Sequence, residues 1–342
     1  MGLQSREQKK MFLSRKKIGK LKECLPYFIV KNHIAEYDFS NLRDTMNSMP
    51  PHVFNEQGDE MKVFFLKDAG NSPYSLSMGR YPRRILWDRF NRSLETHFYV
   101  HENILNETYN CTRKFGILRE SEVIIPNVYR EILKRHDILK NFSCIFTSSE
   151  MILNKYENAR FAPANSVWYG TKICGGELSD RSYENKNRNI SIIASNKSMC
   201  KLHVLRAQLA NYYKGSEKVD CYGRSVGRFI KKKAEALEGY RYSIVIENNV
   251  TPYYFTEKVL DCFAAMTVPI YIGATEIGRF FNSDGIICVN ESALSDFSKI
   301  DKIIERCSER DYDSRINAIK DNYMRVQDYL CYEDYLVDHY DL

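Results

Sequence analysis

Short apolar runs alternate with longer segments of helical periodicity along most of the chain. Met61–Leu66 is an almost continuous apolar run suited to a buried strand. After Pro82, the spacing of Ile85, Leu86, Trp87 and Phe90 predicts a helix. His97–Val100 reads as a strand that ends at His101-Glu102-Asn103, and Val123–Ile125 as another short strand. Pro126 suits the first turn of a helix running to about Leu139. Phe142–Phe146 predicts a strand, with Ser148 or Ser149 capping the helix after it. From Gly170 to Arg188 the pattern breaks: Gly175, Gly176, Ser179, Asp180, Asn185 and Asn187 leave no apolar face, as in a linker. Beyond it, strands are expected at Ile190–Ala194, Val219–Tyr222, Tyr242–Ile246, Val268–Ile272 and Gly285–Val289. Between them come helices at about 199–213 and 227–238, another from Glu257, and one near Glu276. This alternation means parallel α/β layers. With a linker between two such runs, the chain reads as two Rossmann-like domains, 1–175 and 176–330, and a tail, 331–342, packed against them.

The length of 342 residues agrees with two domains. At 44% hydrophobic and 27% charged residues, the composition excludes a disordered or collagen-like chain. The longest apolar stretch, Cys262–Ala274, is broken by Thr267, Pro269 and Gly273. It falls short of the roughly 20 residues of a membrane span. No apolar segment follows the basic N-terminus as a secretion signal would, so a cytoplasmic protein is expected. Residues 1–22 hold eight basic residues against the single Glu7, so the whole net charge of +6 sits there and the rest is nearly neutral. A nucleic-acid binder is therefore not expected. Residues 5–22 read as a basic helix with apolar Met11, Phe12, Ile18 and Leu21, suited to an anionic membrane surface or to packing on its own domain. The 10 cysteines include no C-x-x-C pair; Cys144, Cys262 and Cys288 lie in apolar runs and read as buried free thiols.

The most informative segment is Tyr242–Gly273. An apolar strand ends in Glu247-Asn248-Asn249, a loop with Pro252 follows, and Thr256-Glu257-Lys258 opens a helix. Polar groups after a parallel strand lie where such sheets bind ligands. Thr256 can cap the helix, whose free N–H groups attract an anion. Lys258 is misplaced for the helix dipole unless a phosphate lies against it. The plainer alternative is a solvated lysine beside a capping glutamate.

This segment resembles the α-1,3-fucosyltransferases. Their donor motif runs from an apolar strand through Glu-Asn to Tyr-Val-Thr-Glu-Lys, a helix, and a Val/Ile-Pro strand ending in Gly. The matching residues are Glu247-Asn248, Tyr254-Phe255-Thr256-Glu257-Lys258 and Val268-Pro269-Ile270-Tyr271-Ile272-Gly273, with Phe255 in place of Val. Ile192-Ile193-Ala194-Ser195-Asn196, Val219-Asp220-Cys221-Tyr222-Gly223 and Phe98-Tyr99-Val100-His101-Glu102-Asn103 are similar to further family segments. The resemblance implies a GT-B fold: two Rossmann-like domains facing across a cleft. It implies an inverting transfer of L-fucose from GDP-fucose to an acceptor glycan, an α-1,3 linkage to a GlcNAc-type sugar, and no cofactor or metal. A related transferase using another GDP-sugar, or an inactive glycan- or nucleotide-binding protein, is the alternative. Carried over, Glu102 is the general base and Lys258 holds the diphosphate. Glu257 contacts the sugar, and Glu247, Asn248 and Tyr254 belong to the donor pocket. For the diphosphate-binding arginine the candidates are Arg206 and Lys201; a guanidinium grips phosphate through two bonds, which favours Arg206.

Other constellations are weaker. Asp311-Tyr312-Asp313 is a D-x-D, but it opens a helical stretch, where Asp serves as a cap. His97 and His101 have H-x-x-x-H spacing, but on a strand they stand about 13 Å apart. Cys200 and His203 lack a second ligand pair. G-x-S-x-G, G-x-G-x-x-G and P-loop motifs are missing.

Overall fold

The computed structural model describes residues 52–54, 60–68, 75–89, 91–106, 108–135 and 137–342. The basic segment 5–22 lies outside them. Strands β1 (His52–Phe54), β2 (Glu60–Lys67), β3 (Ile85–Asp88), β4 (Thr96–Val100), β5 (Arg113–Leu118), β6 (Cys144–Thr147) and β7 (Ala159–Phe161) form the first sheet. Its order is β1-β2-β4-β5-β6-β7, with β3 also paired to β2. Only the β1–β2 pairing is antiparallel. The second sheet holds β8 (Arg188–Ile193), β9 (Asp220–Tyr222), β10 (Tyr240–Ile246), β11 (Val268–Ile272) and β12 (Ile287–Cys288). It is parallel throughout, in the order β12-β11-β10-β8-β9. The helices that matter below are α1 (Pro126–Lys134), α2 (Lys201–Tyr212), α3 (Glu257–Ala264), α4 (Ile316–Val326) and α5 (Tyr332–His339). Two parallel α/β units are thus present, as expected of a GT-B chain.

Four expected elements differ. Residues 85–88 form a strand, not a helix. All four of its residues are buried, and so short an apolar run has no period to distinguish the two. Val123–Ile125 is not a strand but part of the turn leading into α1. The strand of that region is β5, masked in the sequence by Arg113, Lys114 and Gly116. That glycine has a packing reason: a Cβ on Gly116 would lie 2.5 Å from the Ile145 Cδ1 on neighbouring β6. The helices expected at 227–238 and near Glu276 are replaced by 3₁₀ turns at Arg224–Val226, Lys233–Ala236 and Ile277–Arg279. Among the cysteines, Cys262 is buried, Cys144 only partly so, and Cys288 is exposed on the edge strand β12. The nine described cysteines form no disulfide.

β11 lies inside the sheet between β10 and β12, with all five residues Val-Pro-Ile-Tyr-Ile buried, as a strand covered on both faces requires. One apolar cluster runs from the first sheet (Phe64, Trp87, Phe98, Phe115) through α3 (Val259, Leu260, Phe263) to α5 (Tyr335, Leu336). The two units therefore share a core across their junction. The tail crosses back onto the first sheet. Buried Glu333 accepts from Ser75 Oγ at 2.9 Å, Ser77 Oγ at 2.8 Å, Trp87 Nε1 at 2.9 Å and the Leu76 N–H. This fixed docking brings the ends of β4 and β5 opposite the ends of β8 and β10.

Candidate active site

Between the units lies a cavity of about 380 Å³. The second unit supplies Ile193 at the end of β8, Ser195 and Lys197 after it, His203 and Arg206 from α2, Asn248 after β10, and Tyr254, Thr256, Glu257 and Lys258 at the start of α3. The first unit supplies Arg119 and Glu120 after β5, and the connection between units adds Ala164, Asn165 and Trp168. The cavity thus opens at the carboxyl ends of parallel strands, where such sheets bind ligands.

Thr256 is extended and caps α3, its Oγ1 accepting from the Lys258 N–H. Lys258 Nζ donates to the same Oγ1 at 2.8 Å and lies 3.1 Å from Glu247 Oε2 and 3.5 Å from Glu257 Oε1. A cation in the first turn is therefore held by two carboxylates against the helix dipole. Glu247 does not line the cavity. It is fully buried, and its carboxylate is occupied by Thr256 N at 2.9 Å, Thr256 Oγ1 at 2.7 Å and Lys258 Nζ. Its place is beneath the site, fixing the two residues that open α3. Gly273 leaves room for this: a Cβ there would sit 2.7 Å from Glu247 Cγ.

Arg206 and Lys201 separate cleanly. Arg206 is buried on the cavity wall, donates from Nη1 to Ile246 O at 2.8 Å, and leaves its Nε without a protein partner. Burial lowers its pKa against the opposing pull of Glu247 and Glu257. Lys201 is exposed, pairs with Glu291 at 2.8 Å, and does not reach the cavity. Asn248 lines the cavity and is braced from α2: His203 Nε2 meets its Oδ1 at 2.8 Å and the Cys200 thiol donates to its carbonyl at 3.4 Å. Burial, then Arg206, lowers the His203 pKa, and because an amide oxygen only accepts, Nε2–H is the donor in that contact. The Cys200–His203 spacing thus serves Asn248. Among the described residues no group of three or more metal-capable side chains converges. Asp311 hydrogen-bonds Tyr242 Oη at 2.7 Å and pairs with Arg315, away from the cavity. His97 is buried against Phe65.

Glu257 joins the units. Its Oε2 accepts from Asn165 Nδ2 at 3.0 Å, and Asn165 Oδ1 accepts from Arg119 Nη2 at 2.7 Å. One turn on, Asp261 takes the Trp168 and Tyr169 N–H groups at 2.7 and 2.9 Å and pairs with Lys233 at 2.6 Å. Burial pushes the Glu257 carboxyl up, but Lys258 and Lys233 outweigh it and hold the pKa at about 2. A depressed carboxylate stabilises the fold above its unfolded pKa and loses that contribution as pH falls through the folded one. The loss therefore falls between about pH 4.5 and pH 2. Glu257→Gln is expected to flatten the acid limb of the stability curve by about one proton. Chemical denaturation at a series of pH values tests this; an unchanged slope overturns it.

Tyr254 is buried on the cavity wall, its phenol pushed well above the ordinary range by burial and then by Glu120, Glu247 and Glu257. Glu102 is exposed just beyond β4 and does not line the cavity. Its neighbour His101 has a left-handed backbone, φ 52°, uncommon outside glycine. The His101 Nε2 accepts the N–H groups of both Arg119 and Glu120 at 3.2 Å. Burial, then Arg119, lowers its pKa to about 4, which keeps that nitrogen unprotonated. The Glu102 loop is thereby tied to the segment that forms the cavity's first-unit wall.

Residues 183–332 match the family model described as glycosyltransferase family 10 (fucosyltransferase), C-terminal. That stretch covers most of the second unit. The resemblance read from the motifs holds there, since this stretch contains Arg206, Glu247, Asn248, Tyr254, Glu257 and Lys258. An α-(1,3)-fucosyltransferase of Helicobacter pylori is 31% identical over 81 residues, 24% of this chain and 16% of that protein. A solved α1,3-fucosyltransferase structure with GDP has 14% identity and a TM-score of 0.46, covering 86% of this chain and 97% of its own. Another, with GDP-fucose, has 15% identity and a TM-score of 0.47 over the same shares.

Sequence reasoning missed Arg119, Glu120, Asn165, Trp168, Lys197 and Lys233. Lys197 follows the Ser195-Asn196 turn directly and was within reach. Arg119 and Glu120 were hidden with β5. Asn165 and Trp168 come from an irregular segment, where no periodic pattern marks direction, and Lys233 sits in a 3₁₀ turn where a longer helix was expected.

Proposed function

We propose that the chain is an inverting glycosyltransferase that moves L-fucose from GDP-fucose to a hydroxyl of an acceptor glycan, forming an α-1,3 linkage to a GlcNAc-type sugar. The observation that carries the reading is the cavity itself. Arg206 and Lys258, beside the N-terminus of α3, form a cationic wall at a family 10 fucosyltransferase domain, with Glu257 next to them. A diphosphate suits those cations and the helix N–H groups. The sugar then extends toward Glu257, and Asn248 and Tyr254 complete the donor pocket. The acceptor approaches from the first unit. Its hydroxyl oxygen attacks the anomeric carbon while Glu102 takes the proton. The anomeric carbon–phosphate oxygen bond breaks with oxocarbenium character, and GDP leaves carrying the electron pair. Arg206 and Lys258 stabilise the charge that grows on the leaving phosphate, the task a metal performs in other transferases. A single displacement inverts the anomeric centre.

The test is transfer from a panel of GDP-sugars to a glycan array, with and without EDTA. Turnover of GDP-fucose that survives EDTA supports the reading. Preference for another GDP-sugar, or loss in EDTA with rescue by Mn²⁺, overturns the corresponding part; GDP binding without turnover favours the binding-protein alternative. The basic composition of residues 1–22 supports contact with an anionic membrane surface, each Lys or Arg adding about 1 kcal/mol. That would set the enzyme at the inner face of a membrane beside a lipid-linked acceptor. Deleting residues 1–22 is expected to abolish sedimentation with anionic vesicles and spare activity on a soluble acceptor. Full-length protein that ignores such vesicles refutes the contact. Among the described residues no helix is long and apolar enough to cross a membrane.

A further inference from the structure

We propose that Glu120 is a second sugar-binding carboxylate, which accepts hydrogen bonds from hydroxyls of the transferred hexose across the cavity from Glu257. The proposal rests on the donor reading above. Glu120 follows β5 and lines the same cavity as Glu257 and Lys258, but from the opposite unit. Its backbone is held on both sides: the N–H donates to His101 Nε2 at 3.2 Å and the carbonyl accepts from Tyr129 Oη at 3.0 Å. The side chain is the exception in its surroundings. Glu247 is occupied by Thr256 and Lys258, Glu257 by Asn165 and Lys258, and Asp261 by Lys233 and two backbone N–H groups. The adjacent Arg119 is no partner. Its guanidinium donates to Leu76 O at 2.6 Å, Ala164 O at 3.1 Å and Asn165 Oδ1 at 2.7 Å. Among the described residues, none donates a hydrogen bond to the Glu120 carboxylate or forms an ion pair with it.

A partly buried carboxylate without a partner is costly, because its lost hydration is not replaced. Burial, and then the charge of Glu257, raises the Glu120 pKa, which is the same cost seen as a proton affinity. A ligand that supplies O–H donors removes it. The ligand's anionic part is better held by Arg206 and Lys258 on the second-unit wall, since Glu120 and Glu257 together repel a phosphate even though Arg119, Lys258 and Lys197 also face Glu120. What remains is a neutral, polyhydroxylated group reaching from the cationic wall toward the first unit. The hexose of a GDP-sugar has that chemistry, and GDP alone lacks it.

The difference between those two ligands is the test. Calorimetry of wild type and Glu120→Gln with GDP and with GDP-fucose separates the contributions. GDP should bind both proteins alike, which also shows that the variant is folded. GDP-fucose should bind the variant about tenfold more weakly or worse, the range for hydrogen bonds to a charged group. Equal GDP-fucose affinity in the two proteins overturns the proposal and leaves the donor reading intact. Loss of GDP affinity in the variant also overturns it, because the carboxylate would then support the whole site. Wild type that binds neither ligand refutes the donor reading and this proposal with it.

Discussion

Glutamine in place of Glu102 should lower turnover at least about 10²-fold, the lower range for loss of a general base. The substitution keeps the size of the side chain and removes only its capacity to accept a proton. GDP affinity should stay at the wild-type value, because Glu102 lies outside the cavity that the cations line. Two features make the residue suited to acceptor chemistry. It is exposed just beyond β4, open to a hydroxyl arriving from the first unit. It also follows His101, whose unprotonated Nε2 holds the Arg119 and Glu120 N–H groups. Those two hydrogen bonds tie the His101 ring, one residue before Glu102, to the segment that forms the cavity's first-unit wall. Steady-state turnover and GDP titration of the purified variant check both halves. Near-normal turnover would remove Glu102 from the mechanism.

The donor side of this site was legible because its residues lie in one short stretch. The strand before Glu247, the cap at Thr256 and the buried run of β11 each follow from local pattern, and the structure brings their ends together. The first-unit wall was not legible, for a physical reason. Its residues follow a strand that begins with Arg113 and Lys114 and is thinned by Gly116, where a side chain would crowd the Ile145 Cδ1. Without β5, nothing marked Arg119 or Glu120 as strand-end residues. Glu247 shows the converse limit. A motif places a carboxylate near a ligand, but only geometry tells whether it faces the ligand or braces those that do. Burial and three donors give Glu247 the second role.

Lys258→Ala and Arg206→Ala should each weaken GDP binding by about 10- to 100-fold, as expected for losing a charge-assisted contact to phosphate. Turnover should fall further than affinity, because charge on the departing diphosphate is larger in the transition state than in the bound donor. The two variants should differ in stability. Removing Lys258 leaves fully buried Glu247 with Thr256 as its only donor among the described residues, so the melting temperature should drop. Removing Arg206 frees only the Ile246 carbonyl from that guanidinium, and relieves the burial of a cation that burial itself disfavours. Its stability cost should be the smaller. Lys201→Ala is the control, since that lysine is exposed, paired with Glu291 and outside the cavity. Calorimetry with GDP on the three variants separates the possibilities. Normal GDP binding by Arg206→Ala together with weakened binding by Lys201→Ala would transfer the diphosphate to Lys201. Equal GDP affinity in Lys258→Ala and wild type would mean that the cation opening α3 serves Glu247 alone.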